Sequence, residues 1–336
     1  MKLALALLVI LLLLGCGGCP CGVQAESVWL HDGGDPRRVD VDEDWGDLEL
    51  DAAQQVWSVR AGGLFREEEE QGVDGLDGSA DLVRAGDHVV VVDWQWGAGM
   101  AVRDPAAADA VTLLDDDPDL HDVLASGTAE GVAIAWTRAA ERDPAEDEAH
   151  LGWWDGGAFE QRYMLSGFHV DALSARGGAI LLVASDDGGT QRALLGATIQ
   201  GAWTEVGLGE DVRSAELGED GTIWVLRRGS GGSYQVEHLG LCTVQVDGAA
   251  ADPALRPHAE GLDLYRMDGQ GVAMRLRFGS DCSFLGASSL GPVPDTDATF
   301  DGVTESQGGV TAILGGSWVA AEENGAFDYW WGQGCK

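Results

Sequence analysis

Lysine is all but missing from this chain. Among 336 residues it occurs at Lys2 and Lys336, and every other basic residue is arginine. The 20 basic residues face 57 acidic ones, a formal net charge of −37. A surface of that sign repels phosphate backbones and anionic lipid headgroups, so nucleic acid is excluded as an expected partner. Proline is scarce too, at nine residues against 50 glycines. That balance favours short strands and tight turns over long helices. The chain has no H-E-x-x-H, no G-x-S-x-G, no phosphate-cradling G-x-x-x-x-G-K-[ST] and no dinucleotide fingerprint. Its seven histidines are scattered, with no i, i+4 pair. No catalytic residue can be assigned from these patterns.

The length allows two or three average domains, or one repeat domain. The longest apolar run is Leu3 to Leu14. As a helix it would reach about 18 Å, well short of a ~30 Å hydrocarbon core. Behind Met1-Lys2 it reads as a signal peptide, residues 1–15. The run ends in Leu13-Leu14-Gly15-Cys16, which resembles the lipobox of bacterial lipoproteins, with Leu at −3 and a small residue at −1. The resemblance covers the first sixteen residues. It implies cleavage before Cys16 and acylation of its thiol. Gly17 in place of Asp implies, by the same resemblance, an outer-membrane address. The alternative is cleavage after Val23-Gln24-Ala25, which would give a periplasmic or secreted protein. Residues 16–27 then form the lipidated Cys16 and a Gly-rich flexible tether.

Cys16-Gly17-Gly18-Cys19-Pro20-Cys21 has redox or metal-ligand spacing, but acylation of Cys16 removes that pair. An exported chain is permitted disulfides. The expected bridge is Cys242–Cys282, because both lie at strand or turn ends in neighbouring repeats. Cys335 would then clip the C-terminus to Cys19 or Cys21.

The remainder, residues 28–336, repeats. Asp220-Gly221-Thr222-Ile223-Trp224-Val225-Leu226 is a turn signal followed by a short, unbroken apolar run. Related runs follow Gly86, Gly131, Gly178, Gly271 and Gly309, at intervals averaging about 45 residues. Periods of about 40–50 residues with several short strands per unit mark propeller blades. A shorter strand precedes each glycine, as in Leu262-Asp263-Leu264-Tyr265, and a Gly-rich hairpin follows each run, as in Asp187-Gly188-Gly189. Unbroken apolar character means burial on both faces, as blades flanked by blades require. Leu48-Glu49-Leu50 and Val56 to Val59 start a further unit. The expected fold is therefore all-β, a single β-propeller of seven blades, with six or eight as the alternatives. Ser27 to His31 is expected to pair with the last blade and close the ring.

Other motifs carry weaker signals. Ser185-Asp186-Asp187-Gly188-Gly189-Thr190 resembles the Asp-box of sialidase-like propellers, S-x-D-x-G-x-T-W. Ser185, Asp187 and Gly189 match, while Gln191 and Arg192 stand where Thr and Trp belong. In that family the box is a structural turn, and an ordinary hairpin is the alternative here. Asp40, Asp42 and Asp44 alternate as calcium ligands do, since a hard cation needs several converging oxygens. Gly46 falls one place late for an EF-hand loop, so Ca²⁺ is one reading and chance clustering in an acidic chain the other. Leu114 to Asp119 is a weaker version of the same pattern, and Glu67 to Glu70 reads as a solvated loop. Trp153-Trp154 and Trp330-Trp331 either fill gaps between blades or line a sugar- or peptide-binding surface.

The resulting expectation is a monomeric, non-enzymatic lipoprotein of the bacterial cell envelope whose propeller binds an envelope protein or a glycan. No cofactor beyond the candidate Ca²⁺ is expected. The alternative is a carbohydrate-active enzyme of sialidase or glycoside-hydrolase type, with acidic and arginine side chains converging in the central pocket.

Overall fold

A computed structural model describes residues 28–30, 37–39, 45–53, 55–60, 62–66, 69–76, 80–95, 99–107, 110–116, 120–139, 147–196, 201–209, 211–229, 233–247, 253–268, 272–292, 302–305, 311–315, 318–323 and 326–331. Among them the sole helical element is the single 3₁₀ turn Pro105–Ala107; all other regular structure is strand.

Four consecutive strands at a time pair antiparallel into one sheet. Sheet one runs Trp45–Leu50, Val56–Arg60, Gly63–Arg66 and Glu69–Asp74. Sheet two runs Asp81–Ala85, His88–Gln95, Gly99–Asp104 and Ala110–Asp115. Sheet three runs Leu120–Thr128, Gly131–Arg138, Glu148–Trp154 and Phe159–Ser166. Sheet four runs His169–Arg176, Ala179–Ser185, Gln191–Gly196 and Trp203–Val206. Sheet five runs Val212–Leu217, Ile223–Arg228, Tyr234–His238 and Cys242–Val246. Sheet six runs Ala254–His258, Gly261–Met267, Val272–Gly279 and Phe284–Pro292. Sheet seven runs Gly302–Glu305, Thr311–Gly315, Trp318–Glu323 and Ala326–Trp331. The first strand of each sheet lies beside the first strand of the next, and that of sheet seven lies beside that of sheet one.

The second strands show why their sequences are apolar throughout. Alternate residues of a strand face opposite sides of its sheet. In sheet three, Val132, Ile134 and Trp136 pack toward sheet two, while Ala133 and Ala135 pack toward sheet four. In sheet four, Ile180, Leu182 and Ala184 join the layer shared with sheet three, and Leu181 and Val183 the layer shared with sheet five. In sheet five, Trp224 and Leu226 face sheet six, while Ile223 and Val225 face sheet four. Each fully buried aliphatic side chain here contributes about 1.5–3 kcal/mol. Trp153 and Trp154 obey the same rule: both are buried, Trp153 in the layer toward sheet four and Trp154 in the layer toward sheet two. They fill gaps between sheets; the side chains of Trp330 and Trp331 lie outside the described residues.

Three sequence expectations need correction. In sheet six the second strand opens at Gly261, and the run Val272 to Leu276 belongs to the third strand. Gly261 has φ +150°, matching Gly131 at +153°, and a Cβ on it would sit 2.1 Å from the Phe278 carbonyl oxygen. Asp263 interrupts the apolar pattern of that second strand. It is buried, and Arg277 across the sheet donates to it at 3.0 Å, so a charged residue holds a position that elsewhere is apolar. The second correction concerns Glu69 and Glu70, which begin the outermost strand of sheet one rather than a loop. Both are exposed, and charge on an edge strand opposes pairing with other chains. Third, Val28–Leu30 pairs with Arg37–Val39 as a separate hairpin instead of joining the last sheet, although it lies beside the two outer strands of sheet seven.

Candidate functional site

The first, inner strands of sheets one to six line a cavity of about 590 Å³. Antiparallel connectivity puts the first-to-second turns of all sheets at one face, and the cavity wall includes four of them, through Gly86, Ala129, Gly177 and Glu219. Glu49, Arg84, Ser126, Ser174, Glu216 and Arg256 supply its functional side chains from six successive inner strands.

Hydroxyl groups on these strands tie one sheet to the next. The Ala175 N–H donates to Ser126 Oγ at 2.9 Å, and the Leu217 N–H donates to Ser174 Oγ at 3.0 Å. The Gly86 N–H reaches the Thr128 carbonyl at 3.0 Å. Inner strands thus use side chains to satisfy backbone donors that no neighbouring strand reaches. Gly127 allows the closest approach. A Cβ there would lie 1.9 Å from the Arg84 carbonyl oxygen, so any other residue would push sheets two and three apart.

The wall carries both signs of charge. Arg84, Arg176 and Arg256 come from sheets two, four and six, and among the described lining residues all positive charge is guanidinium. Glu49, Asp87, Glu216 and Glu219 stand among them. Ser174 Oγ donates to Glu216 Oε2 at 2.7 Å, and Arg176 donates to the Pro257 carbonyl. Burial pushes the Glu216 carboxyl above the usual range, against the pull of the Ser174 hydrogen bond and of Arg256 and Arg176. Among the described residues no aromatic side chain lines the cavity.

At the start of the sheet-two inner strand, Asp81 is pushed up from 3.8 to about 7 by burial. The folded state then holds a proton that the unfolded chain releases, so stability falls as pH rises from 3.8 to about 7. Asp81→Asn is expected to raise stability at pH 8 by at most about 4 kcal/mol and to change it little at pH 3, in urea melts at the two pH values.

The residues singled out from sequence fall in different places. Cys242 and Cys282 form a disulfide, with Cα atoms 6.1 Å apart, joining the third-to-fourth turns of sheets five and six. His238 Nδ1 lies 2.6 Å from the Ser280 carbonyl oxygen at the same seam. Cys16, Cys19, Cys21, Cys335, Asp40, Asp42 and Asp44 lie outside the described residues. Among the described residues no group of three or more His, Cys, Asp or Glu side chains is arranged to hold a metal ion. Asp115, from the second acidic cluster, accepts Arg138 of sheet three at 2.6 Å. Ser185 to Thr190 is the hairpin between the second and third strands of sheet four. The carboxylate that closes it is Asp186, accepting the Thr190 N–H at 2.7 Å, while Asp187, the residue matching the Asp-box, is exposed.

The pocket residues were not identified from the sequence. A usable signal was present: Arg84-Ala85-Gly86 and Arg176-Gly177 each place an arginine immediately ahead of a repeat's first turn.

No sequence-family profile matches the chain, and no curated protein matches it in sequence. Solved structures do match in shape. AztD from Citrobacter koseri superposes with a TM-score of 0.52 at 10% identity, covering 90% of this chain and 91% of that one. A prolyl endopeptidase superposes with a TM-score of 0.54 at 11% identity, covering 87% of this chain and 50% of that one. TolB from Acinetobacter baumannii gives a TM-score of 0.43 at 13% identity over 70% of this chain and 61% of that one. The chain thus spans about half of the endopeptidase and about three fifths of TolB. Likeness at these identities shows fold alone. The architecture is all-β, a propeller-like repeat of four-stranded antiparallel sheets.

Proposed function

We propose that this chain is a cell-envelope lipoprotein in which a closed, seven-bladed propeller acts as a binding module, with its ligand held in the central pocket. Residues 1–15 serve as the signal peptide, residues 16–27 as the lipidated Cys16 and tether, and residues 28–336 as the propeller. The contact of the sheet-seven inner strand with that of sheet one supports closure, and seven four-stranded sheets support the blade number. The lipobox resemblance supports anchorage, since several acyl chains hold a protein stably where one is marginal.

The observation that carries the binding role is the pocket itself. It falls within the ~300–1,000 Å³ range of small-molecule sites, and charged groups from separate sheets converge on it. The glycoside-hydrolase alternative draws support from the pocket's four acids, but the described lining residues offer a sugar ring no aromatic face.

Native mass spectrometry of protein isolated from its own envelope tests the binding role. A small molecule is expected on the wild type and absent from Ala129→Trp, which blocks the mouth from an exposed turn. Equal occupancy in both proteins, or none in either, would remove the pocket from the reading. Anchorage is tested separately: Cys16→Ala is expected to move the protein from the membrane pellet to the soluble fraction. Retention in the pellet would refute the lipid anchor.

A further inference from the structure

The cavity's chemistry narrows its ligand. The basic side chains are guanidinium groups, whose planar fork matches a carboxylate or phosphate in two parallel hydrogen bonds. In a chain with 20 basic and 57 acidic residues, three arginines from three sheets meet in one cavity beside four acids. Arg256 Nε is buried and has no hydrogen-bond partner among the described residues.

The acids limit what that acceptor is. Glu49, Asp87, Glu216 and Glu219 share the cavity, so a phosphate group with about two negative charges would meet four carboxylates as well as three guanidiniums. A single carboxylate meets less repulsion, and a cationic group on the same ligand turns the remaining acids into partners. The described lining residues include no aromatic ring, which disfavours a quaternary ammonium, held by ring faces, and favours a primary ammonium held by carboxylates. Sheet three contributes nothing larger than threonine to the wall: Ala125, Ser126, Gly127, Thr128 and Ala129.

We infer that the central pocket takes a small zwitterion, a free amino acid or short peptide, with its carboxylate on Arg176 and Arg256 and its ammonium facing Glu49, Asp87 and Glu219. The inference rests on the pocket being the ligand site proposed above. Ser174 fixes Glu216 at the base of the arginine pair through the 2.7 Å hydrogen bond. Burial pushes that carboxyl above the usual range, while Arg256 and Arg176 both pull it back toward the charged form.

The test is a thermal-shift screen of the mature protein against free amino acids, dipeptides, inorganic phosphate and monosaccharides, followed by calorimetric titration of whatever binds. At least one zwitterion is expected to raise Tm by about 2–4 °C or more at saturation. Its C-terminal amide and its N-acetyl derivative are each expected to bind at least about tenfold more weakly. Arg256→Gln is expected to weaken binding at least about tenfold, and Arg256→Lys to recover part of it. Far-UV circular dichroism of both variants keeps misfolding apart from lost binding. An amide that binds as well as its acid would overturn the carboxylate assignment. Binding of phosphate or a sugar that Ala129→Trp abolishes would overturn the zwitterion and leave the pocket standing. No binder sensitive to Ala129→Trp would overturn both.

Discussion

Trp224→Ala is expected to lower unfolding free energy by about 3–5 kcal/mol in urea or guanidinium melts. The indole is 1% exposed and lies in the layer between sheets five and six with Leu226, Val236, Leu262 and Leu264. It also stacks on His238, directly opposite across the sheet, with ring centroids 4.4 Å apart and planes 10° from parallel. Truncation therefore removes buried area, leaves a cavity between two sheets and frees a buried imidazole from its stacking partner. Sheet three repeats the arrangement, with Trp136 opposite His150 at 5.2 Å, so Trp136→Ala is expected to behave alike. Phe284, 60% exposed beside the same seam, serves as the control, and Phe284→Ser should cost under about 1 kcal/mol. A similarly small loss for Trp224→Ala would place its ring outside the inter-sheet layer.

The second large effect is expected from the disulfide. Cys242 and Cys282 are 40 residues apart, and releasing a loop of that length returns about 4 kcal/mol of chain entropy to the unfolded state at 25 °C. The double substitution Cys242→Ser, Cys282→Ser should lose stability of that order, and reducing the wild type with dithiothreitol should reproduce the loss. The folded seam keeps its other link, the His238–Ser280 hydrogen bond, so the native circular dichroism spectrum should be retained. Cys282 sits at φ +62°, in a turn where Asp281 accepts the Ser283 N–H at 3.0 Å. The turn preceding Trp224 has the same construction, with Gly221 at φ +79° and Asp220 accepting the Thr222 N–H at 3.1 Å. Cys282→Gly alone would thus relieve backbone strain while removing the bridge, and should cost less than Cys282→Ser. Equal stability of reduced and oxidised wild type would show that the bridge does not hold sheets five and six together.

These two expectations also mark what was legible in the sequence. A second strand covered by a sheet on either side must be apolar on both faces, so Val132 to Trp136 and Ile223 to Leu226 stand out as unbroken runs. The repeat could be read from them. Sheet six departs from the pattern because Asp263, paired with Arg277, occupies a second-strand position. Spacing alone cannot anticipate a buried charge whose partner lies on the next strand. The pocket was less legible still. Arg84, Arg176 and Arg256 are widely separated along the chain and each looks like an ordinary polar residue in a short strand. Only the packing of inner strands side by side makes them one site, and the serines that join those strands resemble surface residues in the sequence. Ser174 shows the difficulty: a single hydroxyl serves both the Leu217 amide and the Glu216 carboxylate, and both partners lie in another sheet.

The most direct measurement is a crystal structure of the protein. A closed ring requires the Gly302–Glu305 strand to lie beside Trp45–Leu50 and the arginines of sheets two, four and six to face one central pocket. An open arc with sheets one and seven apart, or arginines directed to the outer surface, would contradict both the propeller and the site built at its centre.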